Sequence, residues 1–164
     1  MYYNDLPLFS LNETCAVTGH RILRADFDRE KLTEHLENII KSGFKNFLIG
    51  MAKGFDAECF LSLLSFKDEY DIKIVAVIPC LDQAETFNEK DKELYDELVL
   101  KADHKVILEE KYQKDCMLKR NDFLVNNSSY LFAYFCGRKK SGTYYTINRA
   151  VEKGIKIGYY GENI

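Results

Sequence analysis

The chain has 164 residues, 46% of them hydrophobic, with 23 Lys+Arg against 26 Asp+Glu for a formal charge of −3. This suits one domain, residues 1–164, with a buried core and no need of a disulfide or metal staple, and the acidic balance argues against a main partner that is a polyphosphate duplex. The longest apolar run, Ile74 to Pro79, is too short to span a membrane, and no secretory signal opens the chain, so a cytoplasmic protein is expected.

In chain order, short β-branched apolar runs alternate with segments of helical period. A strand is predicted at Cys15-Ala16-Val17, followed by a helix carrying Leu32, Leu36, Ile39 and Ile40 on one face and stopped by Gly43. His35 is expected to face outward on that helix. A second strand, Phe47-Leu48-Ile49, precedes a helix with Phe55, Cys59, Phe60, Leu63 and Leu64 at the same spacing. The third strand is Ile74 to Ile78, and Thr86-Phe87-Asn88-Glu89 reads as a capping box opening a helix with Leu94, Tyr95 and Leu98 on one face. Strand Val106-Ile107-Leu108, a helix from Asp115 to Asn126, strand Tyr130 to Phe135, a helix from Gly142 to Lys153 and strand Ile155-Lys156-Ile157 complete the series. Such alternation implies parallel strands joined by crossover helices. The expected fold is a three-layer, doubly wound α/β sandwich with a mainly parallel sheet of about six strands. The five cysteines are scattered without a zinc-ligand spacing, so small hydrophobic roles are expected of them and no metal site.

Ligands of doubly wound folds bind beyond the carboxyl ends of the strands. Three loops there carry glycines and cations: Thr18-Gly19-His20-Arg21, Gly50 to Asp56, and Cys136 to Thr143. Glycine admits close backbone approach, and a helix starting just after it presents unpaired N–H groups to an anion. Arg21, Arg24, Lys53, Arg138, Lys139 and Lys140 make this edge locally positive in an acidic chain. Neither GxxxxGK[ST] nor GxGxxG is present, which counts against the common ATPase and dehydrogenase readings. A small ligand bearing phosphate is the expected occupant.

Thr18-Gly19-His20-Arg21, Gly50-x-x-x-Gly54-Phe55-Asp56, Arg120-Asn121 and Ser141-Gly142-Thr143, in this order, resemble the SLOG superfamily, nearest its YpsA-like, TGHR-containing group. The resemblance spans roughly Thr14 to Tyr159. It implies a bacterial Rossmann-like domain that binds a nucleotide or nucleotide-derived ligand, with the last Gly-Thr turn holding phosphate. It implies different uses in different branches: cleavage of a base from a nucleoside monophosphate in the LOG enzymes, single-stranded DNA binding in the DprA relatives, and sensing of a nucleotide such as ADP-ribose in the YpsA-like group. The chain departs from the LOG motif PGGxGTxxE, having Lys140-Ser141-Gly142-Thr143-Tyr144-Tyr145-Thr146, so the glutamate of that enzyme motif is missing.

The candidate ligand and phosphate residues are Thr18, Gly19, His20, Arg21, Gly50, Lys53, Gly54, Asp56, Arg120, Asn121, Ser141, Gly142 and Thr143. His20 fits either a ligand contact or a hydrogen bond to a neighbouring loop. Asp56 fits a helix cap or an acceptor for a ribose hydroxyl. Arg120 and Asn121 alone read as a solvated helix face, and the resemblance raises them to phosphate and ribose or base contacts. Tyr144 and Tyr145 either stack on a base or pack on the sheet. The leading expectation is binding or sensing of a nucleotide-type ligand, read out by a protein partner or a homo-oligomer. The alternative is an N-glycosidic hydrolase or transferase using Asp56 and Glu58, although residues two apart on a helix diverge. A DprA-like accessory to nucleic acid is the weaker alternative, and strong DNA affinity is not expected. No resident cofactor is called for beyond a bound nucleotide.

Overall fold

The computed structural model describes residues 2–3 and 9–162. Its sheet has seven strands in the order β1-β5-β4-β3-β2-β6-β7. These are β1 (Tyr2–Tyr3), β2 (Thr14–Gly19), β3 (Asn46–Ile49), β4 (Lys73–Cys80), β5 (His104–Glu109), β6 (Tyr130–Tyr134) and β7 (Lys156–Tyr159). The strands from β2 to β7 pair in parallel, as the alternation predicts, and β1 adds a two-residue antiparallel edge against Ile107 and Val106.

Helices α1 (Arg29–Lys41), α2 (Phe55–Leu64), α3 (Glu89–Lys101), α4 (Cys116–Asn126) and α5 (Gly142–Lys153) cover both faces. Residues alternate sides along a strand, so each strand feeds two cores. Cys15, Val17, Phe47, Ile49, Ile74, Ala76 and Phe132 pack under α1, α2 and α3. Their neighbours Ala16, Leu48, Val75, Val77 and Leu131 pack under α4 and α5 with Leu124, Ile147 and Ala150. Burial on both faces explains why these strands read as continuous apolar runs.

Two local expectations need correction. The cap of α3 is Asn88, whose side chain accepts from the Asp91 N–H, while Thr86 lies in a 3-10 turn, Gln83–Thr86. The cap belongs to Asn88 because it holds the extended backbone that an N-cap requires. His35 faces inward: it is 7% exposed, tilts against Phe132 and Tyr160, and accepts from the Gly161 N–H at Nε2, 3.0 Å. The chain beyond β7 folds back over α1 and turns an apparently outward position into a covered one.

The topology determines where a crevice opens. From β2 the chain steps to β3, β4 and β5 in one direction, then returns through α4 to place β6 on the other side of β2. The loops leaving β2 and β6 therefore diverge to opposite faces, which leaves an opening at their carboxyl ends. Among the described residues no helix is long and apolar enough to cross a membrane.

Candidate functional site

Two adjoining cavities occupy this edge. The first, of about 370 Å³, is walled by the loop after β2 (Thr18 to Ile22), the loop after β3 (Ala52, Lys53), α4 (Arg120, Asn121) and the loop from Arg138 to Thr143 that opens α5. All three glycine loops thus meet here, together with Arg120 and Asn121, although Gly50 and Gly54 support its walls from behind rather than lining it. The second, of about 320 Å³, lies between α2 and α3 and shares Arg21, Ile22, Ala52, Lys53 and Asp56 with the first.

The loop after β3 is held in an unusual shape. Met51 has φ +61° and Gly54 φ +83°. A side chain on Gly54 would run into the carbonyl groups of Arg21 and His20, so only glycine lets the two loops lie together there. The Phe55 N–H donates to His20 O at 3.1 Å and locks the loops to each other. Gly19, at the end of β2, lies against the Phe55 ring. The absence of a side chain on Gly50 leaves room for the Arg120 guanidinium, which donates to the Gly50 carbonyl.

Arg120 is buried, not on a solvated face, with Nε donating to Asn121 Oδ1 at 2.8 Å. Helix α4 presents this side inward because Cys116, Leu124 and Val125 share it. Burial lowers the Arg120 pKa, with Asp56 opposing and Arg21 reinforcing that shift. A guanidinium remains charged through such a change.

Asp56 is buried and does not cap the helix that follows it. Gly54 is the N-cap of α2, and Asp56, one residue into the helix, is 6% exposed. Its Oδ2 accepts from the Ala52 N–H at 3.1 Å, while Oδ1 is buried without a hydrogen-bond partner among the described residues. Burial pushes its pKa from the ordinary 3.8 up to about 6, against the pull of Arg120, the Ala52 N–H and Arg21. Glu58 is not its partner: Arg29 takes both Glu58 oxygens at 2.8 Å. Both residues nonetheless border the cavity between α2 and α3.

His20 accepts from the Cys136 N–H at Nε2, 3.0 Å, and so ties the loop after β2 to the loop after β6. With Nε2 accepting, the ring proton sits on Nδ1. Burial and then Arg138 lower the His20 pKa, which keeps the ring neutral near pH 7. Ser141 caps α5: its Oγ receives the Tyr144 N–H at 3.2 Å and donates to Arg138 O at 2.6 Å. That leaves the N–H groups of Gly142 and Thr143, the first two of α5, without acceptors among the described residues. Thr18 and Thr143 are buried in the walls beside them. Tyr144 stacks on Phe135 and Tyr145 donates to Asp122 at 2.8 Å, so both rings are engaged within the protein.

The sequence offers no local sign of the second cavity. Phe60, Phe87, Leu94, Tyr95 and Leu98 line it, and their helical spacing is that of any core-facing stripe. Only the gap left between α2 and α3 distinguishes them. Cys80 and Cys116 Sγ lie 4.0 Å apart beneath the site as free thiols, and among the described residues no cluster of His, Cys, Asp and Glu could hold a metal ion.

A parallel sheet with a switch point between β2 and β6, and a cationic, glycine-walled crevice at that point, define a doubly wound α/β protein of the Rossmann-like class. The family model described as the YspA SLOG family (YpsA) matches residues 18–163, and the chain belongs to that family. The UPF0398 protein of Listeria monocytogenes serotype 4a is 24% identical over 164 residues, covering 93% of this chain and 91% of its own. Among solved structures, the chain is similar to DNA processing protein A (DprA) from Streptococcus pneumoniae, with a TM-score of 0.68 and 20% identity over 93% of this chain. It is also similar to DprA from Helicobacter pylori, described for its single-stranded DNA binding mode, with a TM-score of 0.68 and 17% identity over 92% of this chain. The chain spans 52% of the pneumococcal protein and 66% of the Helicobacter one. At these identities the likeness is one of fold.

Proposed function

We propose that this protein, read as a single domain, binds a nucleotide or nucleotide-derived small ligand at the carboxyl edge of its sheet. The observation that carries this reading is the cavity of about 370 Å³ whose lining includes Arg120, Arg138 and Lys140 together with Gly142 and Thr143, the first two residues of α5, whose N–H groups have no acceptor among the described residues. A helix N-terminus flanked by cations suits a phosphate group. Each exposed contact of this kind contributes only ~0.3–1 kcal/mol. Micromolar affinity needs ~8 kcal/mol, so several must act on one ligand. The test is mass spectrometry of ligand retained through native purification, followed by calorimetry with AMP, ADP-ribose and NAD. Micromolar binding of at least one supports the reading, and no binding of any phosphate ester rejects it.

One observation favours a second reading, cleavage at an N-glycosidic bond. Asp56 is a buried carboxyl group with a raised pKa and an unpartnered oxygen, the state expected of an acid–base group. Glu58, the other candidate, borders the same cavity between α2 and α3 and is held by Arg29. Release of free base from nucleoside monophosphates or NAD, followed by chromatography, would put this reading first.

DNA binding is the property named for the Helicobacter relative. Tracking a strand takes a long positive groove with exposed aromatics. Here the exposed basic run is Arg138-Lys139-Lys140, and Tyr144 beside it is stacked on Phe135. Saturable submicromolar binding of a labelled oligonucleotide in ~0.15 M salt, where screening is near physiological, would overturn the small-ligand reading.

A further inference from the structure

Strand β7 is an edge of the sheet: β6 pairs with one side of it, and among the described residues no strand pairs with the other. An edge strand leaves backbone N–H and C=O groups without a ladder partner, and proteins blunt such edges with short strands, proline, bulges or charges. The opposite edge is blunted in this way, since β1 has two residues. β7 runs for four, Lys156-Ile157-Gly158-Tyr159, without proline, and Lys156 is its one charge. Ile157, Gly158 and Tyr159 are each partly exposed. All four residues border a cavity of about 530 Å³ between α1 and the β6–β7 edge. Side chains of successive strand residues alternate between the two faces, so a cavity that meets all four reaches the β7 backbone itself.

The two ends of β7 carry opposite charges. Lys156 opens the strand, and Glu162 follows it, brought back beside the strand end by a turn in which the Glu162 N–H donates to the Tyr159 carbonyl at 3.1 Å. Both residues are exposed, and neither has an ion-pair partner among the described residues. A strand that is positive at one end and negative at the other complements a second copy of itself when the two run antiparallel. A parallel arrangement would set like charges side by side.

We propose that β7 is the interface for a second copy of this chain, paired antiparallel across a two-fold axis normal to the sheet, so that two seven-stranded sheets join into one. An axis through Gly158 fits the residues. Ile157 of each copy then lies opposite Tyr159 of the other, a pairing of β-branched and aromatic side chains on the face covered by α5, against which both pack. Gly158 brings no side chain to the axis, and the Tyr130 hydroxyl occupies the space that one would take. Lys156 comes to the end of the other strand from which the turn to Glu162 leaves. The contact is isologous and closes at two copies. It also lies apart from the ligand crevice, since no residue bordering the cavity beside β7 borders that crevice.

The experiment is sedimentation equilibrium of the full chain, with circular dichroism to check the fold of each variant. Wild type should show a reversible equilibrium between monomer and dimer. Lys156→Glu and Glu162→Lys change exposed residues outside the core, and each sets like charges together at both ends of the interface, so each should weaken dimerisation by about tenfold or more. The double variant Lys156→Glu/Glu162→Lys should associate as wild type does. An equimolar mixture of the two single variants should form a heterodimer more tightly than either forms a homodimer, because the mixture restores both opposite-charge pairs. A wild-type chain that stays monomeric up to about 1 mM overturns the proposal. Dimerisation that neither single variant weakens puts the interface elsewhere and also overturns it. A mixture that associates no better than its components excludes the antiparallel pairing, and the proposal falls with it.

Discussion

Replacing Asp56 with Asn tests the electrostatics of the site without any ligand. The Asp56 carboxyl group is fully enclosed and titrates near 6 in place of the ordinary 3.8. Because the folded value lies above the unfolded one, the folded chain holds this proton more tightly. The resulting stabilisation is complete below about pH 3.8 and is lost as the pH rises through about 6. At ~1.4 kcal/mol for each pH unit of displacement the whole span is ~3 kcal/mol, of which ~1.4 kcal/mol remains at pH 5 and almost nothing at pH 8. The Asp56→Asn chain keeps a neutral group at every pH. Its stability relative to wild type should therefore rise by ~1.4 kcal/mol between pH 5 and pH 8, or ~3–6 °C in Tm for a chain of this size. Urea unfolding of both proteins at the two pH values measures the difference. His20 and His35 titrate in the same window with the opposite sign, but both chains carry them, so they cancel. Unfolding free energies that change in parallel from pH 5 to pH 8 would refute the burial of an ionisable Asp56.

Gly54→Ala should destabilise the chain by ~1–3 kcal/mol, since φ +83° and the carbonyl groups of His20 and Arg21 leave no room for a side chain; an unchanged urea midpoint would count against that geometry. Arg21→Ala should weaken nucleotide binding about tenfold to a hundredfold by removing a charge-assisted hydrogen bond, with little change in Tm because the side chain is exposed, and calorimetry showing equal affinity would remove Arg21 from the site. His35 has its pKa lowered by burial, and its Nε2 accepts from the Gly161 N–H, so its contribution is present above about pH 6.5 and lost as the pH falls through its folded value. In the Asp56→Asn background, His35→Gln should therefore flatten the loss of stability between about pH 7 and pH 5, and an unaltered slope would show that the ring does not titrate buried.

The order and type of the elements, and the edge on which ligand residues gather, are legible in the chain because both depend on local pattern. Apolar runs alternating with helical periods demand parallel strands and crossover helices, and Gly142 to Lys153 matches α5 residue for residue. Glycines and cations after β2, β3 and β6 mark the carboxyl edge for the same reason. The partnerships are not legible, since they join residues far apart in sequence. Arg120 looks solvated until α4 turns it onto the Gly50 carbonyl, 70 residues away. His35 looks exposed until the chain after β7 covers it. Asp56 resembles a helix cap until the loop from Met51 to Gly54 bends back and leaves one of its oxygens buried and unpaired. The cavity between α2 and α3 is a gap between two helices, and a gap is made by how neighbouring elements are spaced rather than by any residue in them.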